Sequence, residues 1–136
     1  MSRKTAREAA MKLIYEYGIT GILSLDTMYA MPDILKVDKL TEDNMEYVNN
    51  IIEHYLDSAE EIDGNIEKYS ISWNLSRISK VDLAILRLAF FELMKTDTPP
   101  EILVNEAVDL AKKYSGAKSP GFINGLLGGY LKENNT

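Results

Sequence analysis

Between Ser79 and Lys95 the chain reads SKVDLAILRLAFFELMK, and no side of a helix built from it is polar. Val81, Ala84, Ile85, Leu88 and Ala89 follow one another along one side at spacings of three and four, and Leu83, Leu86, Phe90 and Leu93 along the other. A helix that is apolar nearly all round is unstable in water unless other helices wrap it. The rest of the chain must therefore supply those neighbours. Ser79 is placed to cap the helix by accepting from the amide of Asp82, whose charge suits the first turn, while Lys95 suits the last. Thr96-Asp97-Thr98-Pro99-Pro100 ends it, because residues before proline are pushed out of the helical region. Arg87 and Glu92 interrupt the apolar surface, and burial of charge predicts an ion pair with a neighbouring helix. Glu106, from the helix that follows, is placed to meet Arg87.

The other elements follow from periodicity. A first helix is predicted over Ser2 to Tyr17, with Ala6, Ala10, Leu13, Ile14 and Tyr17 inward, Arg3, Lys4 and Arg7 on its outer edge, and Gly18 and Gly21 closing it. A second spans Ile22 to Met31 and stops at Pro32. Thr41 with Asn44, and Glu42 and Asp43 between them, opens a third that runs to Gly64, after which Ile66, Tyr69 and Ile71 carry a bent or resumed helix to Ser72. Trp73, Leu75 and Ile78 read as an apolar connector, with Trp73 a plug in the core. After Pro100 a helix turns Ile102, Leu103, Ala107, Leu110 and Ala111 inward. Ser119 caps a last helix with Pro120 at its first position. Glycines 125, 128 and 129 in it imply close approach to another helix, since each costs roughly 1 kcal/mol relative to alanine. The fold class is all-α: one domain over residues 1–136, a compact bundle of six to seven helices around a buried central helix.

With 136 residues and no cysteine, the chain can bury a core without disulfide staples. No stretch approaches the roughly 20 apolar residues that span a bilayer. A soluble cytoplasmic protein with no membrane partner is expected. The net charge of −6 opposes phosphate, but the charge is polarised. Up to Lys12 there are four bases against Glu8 alone, whereas from Asp38 to Glu67 ten acids face only Lys39. The basic end can meet phosphate while the acidic helix faces solvent. The single histidine, His54, lacks a partner at metal-binding spacing and reads as a surface residue. There is no cysteine nucleophile, Gly-x-Ser-x-Gly elbow, phosphate loop or dinucleotide fingerprint. These absences argue against an enzyme and call for no cofactor or metal.

Several blocks carry a likeness: residues 78–89, Phe91-Glu92-Leu93, residues 104–112 (VNEAVDLAK), Phe122-Ile123-Asn124-Gly125 and the opening Arg3-Lys4-x-x-Arg7-Glu8-x-Ala10. In order and spacing they resemble the bacterial transcription antitermination factor NusB family, over essentially the whole length. The segment Asp33 to Glu67 carries little of it. The resemblance implies an all-α RNA-binding protein acting on the single-stranded boxA element of ribosomal RNA leaders together with the ribosomal protein NusE. Through that pair it serves the antitermination complex of RNA polymerase.

Carried over, the RNA surface comprises Arg3, Lys4 and Arg7, then Lys80 and Asp82 at the start of the central helix, then Lys118, Ser119 and Phe122. The cations suit phosphate, Phe122 an unpaired base, and Asp82 a base edge. On this reading Arg7→Glu abolishes RNA binding and leaves the fold intact. The basic run is thin, broken by Thr5 and Ala6, so RNA affinity without a protein partner is expected to be weak. Lys118, where an acidic or polar residue is often found in similar sequences, would add a phosphate contact. NusE requires exposed apolar area, expected on the central helix or its neighbours, and a homodimer is left open. Two other readings stand beside this one: the RNA-binding domain related to that of ribosomal-RNA cytosine methyltransferases, and a helical protein-interaction module that binds no RNA.

Overall fold

The computed structural model describes residues 3–37, 40–70 and 75–134. Among these, six α-helices are present: α1 (Arg3–Thr20), α2 (Leu25–Ile34), α3 (Glu42–Tyr69), α4 (Lys80–Lys95), α5 (Pro100–Tyr114) and α6 (Ser119–Asn134), with a 3₁₀ turn at Leu75–Arg77. No strand occurs among the described residues, and no described helix is long and apolar enough to cross a membrane. Trp73, expected as a core plug, and Ser2, expected to start α1, lie outside the described residues.

The chain forms two compact units, Met1–Asp57 and Ser58–Thr136, with the division falling inside α3. In the first, Ala6, Ala9 and Leu13 of α1 meet Met28 and Met31 of α2 and Val48 of α3 in one buried cluster. Thr27 of α2 donates to the Glu16 carboxylate of α1 at 2.8 Å, and Tyr17 meets Tyr55 edge to face. The ends of α1 and α2 differ from expectation. Gly18 lies inside α1, and the helix stops at Gly21, whose φ of +79° no L side chain adopts cheaply. Pro32 lies inside α2, which ends instead on Lys36 at φ +58°. There the Lys36 amide donates to the Asp33 carbonyl and the Val37 amide to that of Pro32, a Schellman closure with lysine where glycine is usual.

In the second unit α5 packs against both α4 and α6. Helix α4 is the buried rod its sequence demands: from Leu83 to Leu86 and from Leu88 to Phe91 every side chain is within the core. Each large one contributes roughly 1.5–3 kcal/mol by leaving water. The charge in α4 is paired, as expected: Arg87 donates from Nε and Nη2 to the two carboxylate oxygens of Asp63, at 2.9 and 3.1 Å. Asp63 thereby leaves the set of solvated acids on α3. Helix α3 continues through Gly64 to Tyr69 without interruption, and Ile71 and Ser72, expected to prolong it, lie outside the described residues. Phe90 and Tyr69 each meet Tyr130 of α6 edge to face. His54 is exposed, as its sequence context implies.

Two expectations about packing fail. Ile102 is 45% exposed, because the inward stripe of α5 is carried by Leu103, Ala107, Leu110 and Ala111. The α6 glycines do not mark a close helix approach. A Cβ at Gly125 or Gly128 would meet nothing within 4 Å, and one at Gly129 would reach only the Tyr69 ring at 3.7 Å. Nothing in the structure explains Gly125 or Gly128. Gly125→Ala with Gly128→Ala is therefore expected to stabilise the protein by about 2 kcal/mol, because alanine removes backbone freedom from the unfolded chain without a clash. A thermal melt should rise by roughly 5–10 °C; a lower midpoint would contradict the open space seen at both positions.

Candidate nucleic-acid interface

The second unit holds a pocket of about 250 Å³ lined by Arg77, Ile78, Ser79, Asp82, Lys118, Ser119 and Phe122. Its floor is built by one carboxylate. Ser79 caps α4, its hydroxyl accepting from the Asp82 amide at 3.1 Å, which fixes Asp82 in the first turn. The Asp82 side chain then accepts from Ser115 at 2.7 Å and from Ser119 at 2.9 Å, and the two hydroxyls lie 2.8 Å apart. Ser115 ends α5 and Ser119 begins α6, so Asp82 fastens the connection between those helices to the start of α4. Turn hydrogen bonds from Ser119 to the Gly116 carbonyl and from Phe122 to that of Lys118 complete the mount.

What the mount presents is cationic and partly aromatic. The Arg77 and Lys118 side chains are exposed and make no hydrogen bond or ion pair among the described residues. Phe122 is half-buried against the pocket. The N-terminal ends of α4 and α6 both open here through Ser79 and Ser119, and their partial positive charge adds to that of the side chains. Such a cavity can hold an unpaired base beside Phe122 and a phosphate between Arg77 and Lys118.

Four of the residues expected from sequence, Asp82, Lys118, Ser119 and Phe122, thus come together, while Lys80 is exposed at the start of α4 but outside the pocket lining. Two roles change. Asp82 is only 7% exposed and each carboxylate oxygen accepts a hydroxyl, so it fastens the loop in addition to lining the pocket. The Ser119 hydroxyl likewise spends its proton on Asp82. Arg77 is the residue that sequence reasoning misses. Its signal is a base two positions before the Ser79 cap, where a side chain must flank the opening of α4.

The first unit carries the basic edge. Arg3 and Lys4 are exposed in the first turn of α1, which contains no acid. Cations at the positive end of a helix each cost about 0.3–1 kcal/mol, and an anion placed there is attracted by both. Arg3 lies over the Tyr47 ring, Cζ to centroid 4.7 Å, and donates from Nη1 to the Asp43 carbonyl at 3.5 Å. Arg7 does not belong to the outer edge: it is 8% exposed, with Cζ 5.8 Å from the same ring centroid. Arg7→Glu would bury a carboxylate where a guanidinium packs, so it tests the fold as much as RNA binding.

Comparison with known proteins bears on what this arrangement serves. The family model described as NusB family matches residues 4–132. The transcription antitermination protein NusB of Acetivibrio thermocellus is 47% identical over 133 residues, covering 97% of this chain and 90% of that protein. Among solved structures, a chain in the crystal structure of a plectonemic RNA supercoil superposes with a TM-score of 0.85 at 29% identity, covering 98% of this chain and 96% of that one. A chain in the crystal structure of antitermination factors NusB and NusE in complex with double-stranded RNA gives a TM-score of 0.81 at 28% identity, covering 96% of each.

Proposed function

The chain belongs to the NusB family, and from that premise we propose that it is an antitermination factor that binds boxA-type RNA of ribosomal RNA leaders together with NusE. The observation that carries this reading is the pocket in which Arg77, Lys118 and Phe122 converge on the first turns of α4 and α6. It takes an unpaired base on the Phe122 ring and the adjoining phosphate on the two cations. In the first unit Arg3 and Lys4 take phosphate without regard to sequence. The role is regulatory and non-catalytic, exercised where RNA is being transcribed in the cytoplasm.

The protein partner has a surface of its own. Helix α4 itself is too deeply buried to offer apolar area. Apart from Ile102 of α5, the large exposed apolar side chains among the described residues lie in the first unit, most of them at Tyr15 and Ile19 of α1, at Ile22 in the turn, and at Leu25 and Tyr29 of α2. Exposed apolar residues grouped on two consecutive elements mark a protein interface, and we assign NusE to it.

Mobility shift with a boxA-like single-stranded RNA, with and without NusE, tests the proposal. The protein alone should bind weakly and the pair more tightly. Phe122→Ala should weaken binding by about 1–2 kcal/mol, less than a fully stacked base would lose, because the ring is only half-exposed. Its melting midpoint should fall only slightly. Unaltered affinity in a folded Phe122→Ala protein would remove the base from this pocket.

A further inference from the structure

We infer that Tyr47 is a positioning residue for RNA binding: its ring holds the Arg3 guanidinium in the place from which it meets phosphate. The inference rests on the proposed function, in which Arg3 contacts RNA. Three observations carry it. Arg3 and Arg7 both lie within cation–π distance of this one ring, at 4.7 and 5.8 Å. Tyr47 is itself half-buried and packed against the apolar cluster of the first unit, so the platform is rigid. Asp43, one helical turn earlier on α3, offers its carbonyl to Arg3 at 3.5 Å, so the guanidinium is met by a ring and by an acceptor from the same face of the helix.

The physical consequence is preorganisation. A free arginine in the first turn of α1 samples many rotamers, and a phosphate that captured it would have to order it at the moment of binding. Stacking restricts the side chain beforehand while leaving its outward N–H groups for an anion. Lysine is a poorer substitute, because its compact, strongly hydrated ammonium is less readily held against a ring than a guanidinium.

The experiment is a double-mutant cycle on the full chain, read as affinity for a single-stranded RNA oligonucleotide at fixed salt. Tyr47→Leu is expected to weaken binding about three- to tenfold, the cost of ordering one long side chain. Tyr47→Phe, which keeps the ring, should restore most of it. In an Arg3→Ala background Tyr47→Leu should cost nothing further. Arg3→Lys, an exposed change that leaves the fold untouched, should lose about as much as Tyr47→Leu and so tests the idea even if Tyr47→Leu is unstable. Full affinity in Arg3→Lys, or an equal loss from Tyr47→Leu with and without Arg3, would overturn the positioning role while leaving Arg3 an RNA contact. No effect of Arg3→Ala itself would overturn both, by removing the contact on which the inference depends.

Discussion

Asp82→Ala is expected to lower the unfolding free energy by about 3 kcal/mol and to weaken RNA binding about tenfold, although the Asp82 carboxylate is occupied by the protein's own hydroxyls. The stability loss follows from the bonds it makes. Two hydroxyls donate to its carboxylate, at 2.7 and 2.9 Å, and hydrogen bonds to a charged group contribute about 1.5–3 kcal/mol each. The favourable charge in the first turn of α4 adds about 0.3–1 kcal/mol. Against this, Ser115 and Ser119 remain 2.8 Å apart and can satisfy each other, which keeps the net loss near the lower end. A melt should fall by roughly 10 °C. The RNA loss follows from the mount: without Asp82 nothing ties the loop carrying Lys118 to the start of α4, and both Lys118 and Phe122 must be ordered by the ligand. Because every cation that meets phosphate is still present, the slope of affinity against salt should stay as it was, which separates loss of position from loss of charge. Undiminished stability would refute the fastening role, and a changed salt slope would return Asp82 to the surface.

That role cannot be read from the sequence, and the reason is separation along the chain. Ser79 and Asp82 are three apart, so the cap of α4 is a local fact and is legible. Ser115 and Ser119 lie 33 and 37 residues beyond Asp82, and no periodicity links them to it. The same division runs through the fold. The apolar run of α4 dictates its burial, and Thr41, whose hydroxyl accepts from the Asn44 amide at 3.3 Å, dictates where α3 begins. The end of α2 escapes prediction because the stop at Lys36 depends on a left-handed backbone that lysine does not announce. Arg7 reads as an outer residue because it is charged, yet Tyr47, forty positions away, gives its guanidinium a covered seat. The sequence implies that Arg87 is paired; Asp63 as its partner requires the packing of α3.

The largest effect on RNA binding is expected from reversing the two pocket cations together, Arg77→Glu with Lys118→Glu. Both residues are exposed and neither charged group makes a hydrogen bond or ion pair among the described residues, so the fold has no stake in their charge. Surface changes of that kind stay within about 0.5 kcal/mol of neutral, and a carboxylate at position 118, beside the start of α6, is if anything favoured by the helix dipole. Stability should therefore hold while affinity falls at least about 100-fold near 0.1 M salt, two attractions to phosphate being replaced by two repulsions. Each phosphate of a single strand that is no longer neutralised should also flatten the plot of log affinity against log salt by about 0.7, or about 1.4 for the pair. General repulsion from a more anionic protein is separated by a control with the same change in net charge, Lys112→Glu with Lys132→Glu, on exposed residues outside the pocket. The control should lose little. Equal losses from the two double variants would mean that RNA senses only the charge of the whole molecule, and that the pocket at the openings of α4 and α6 is not where phosphate is held.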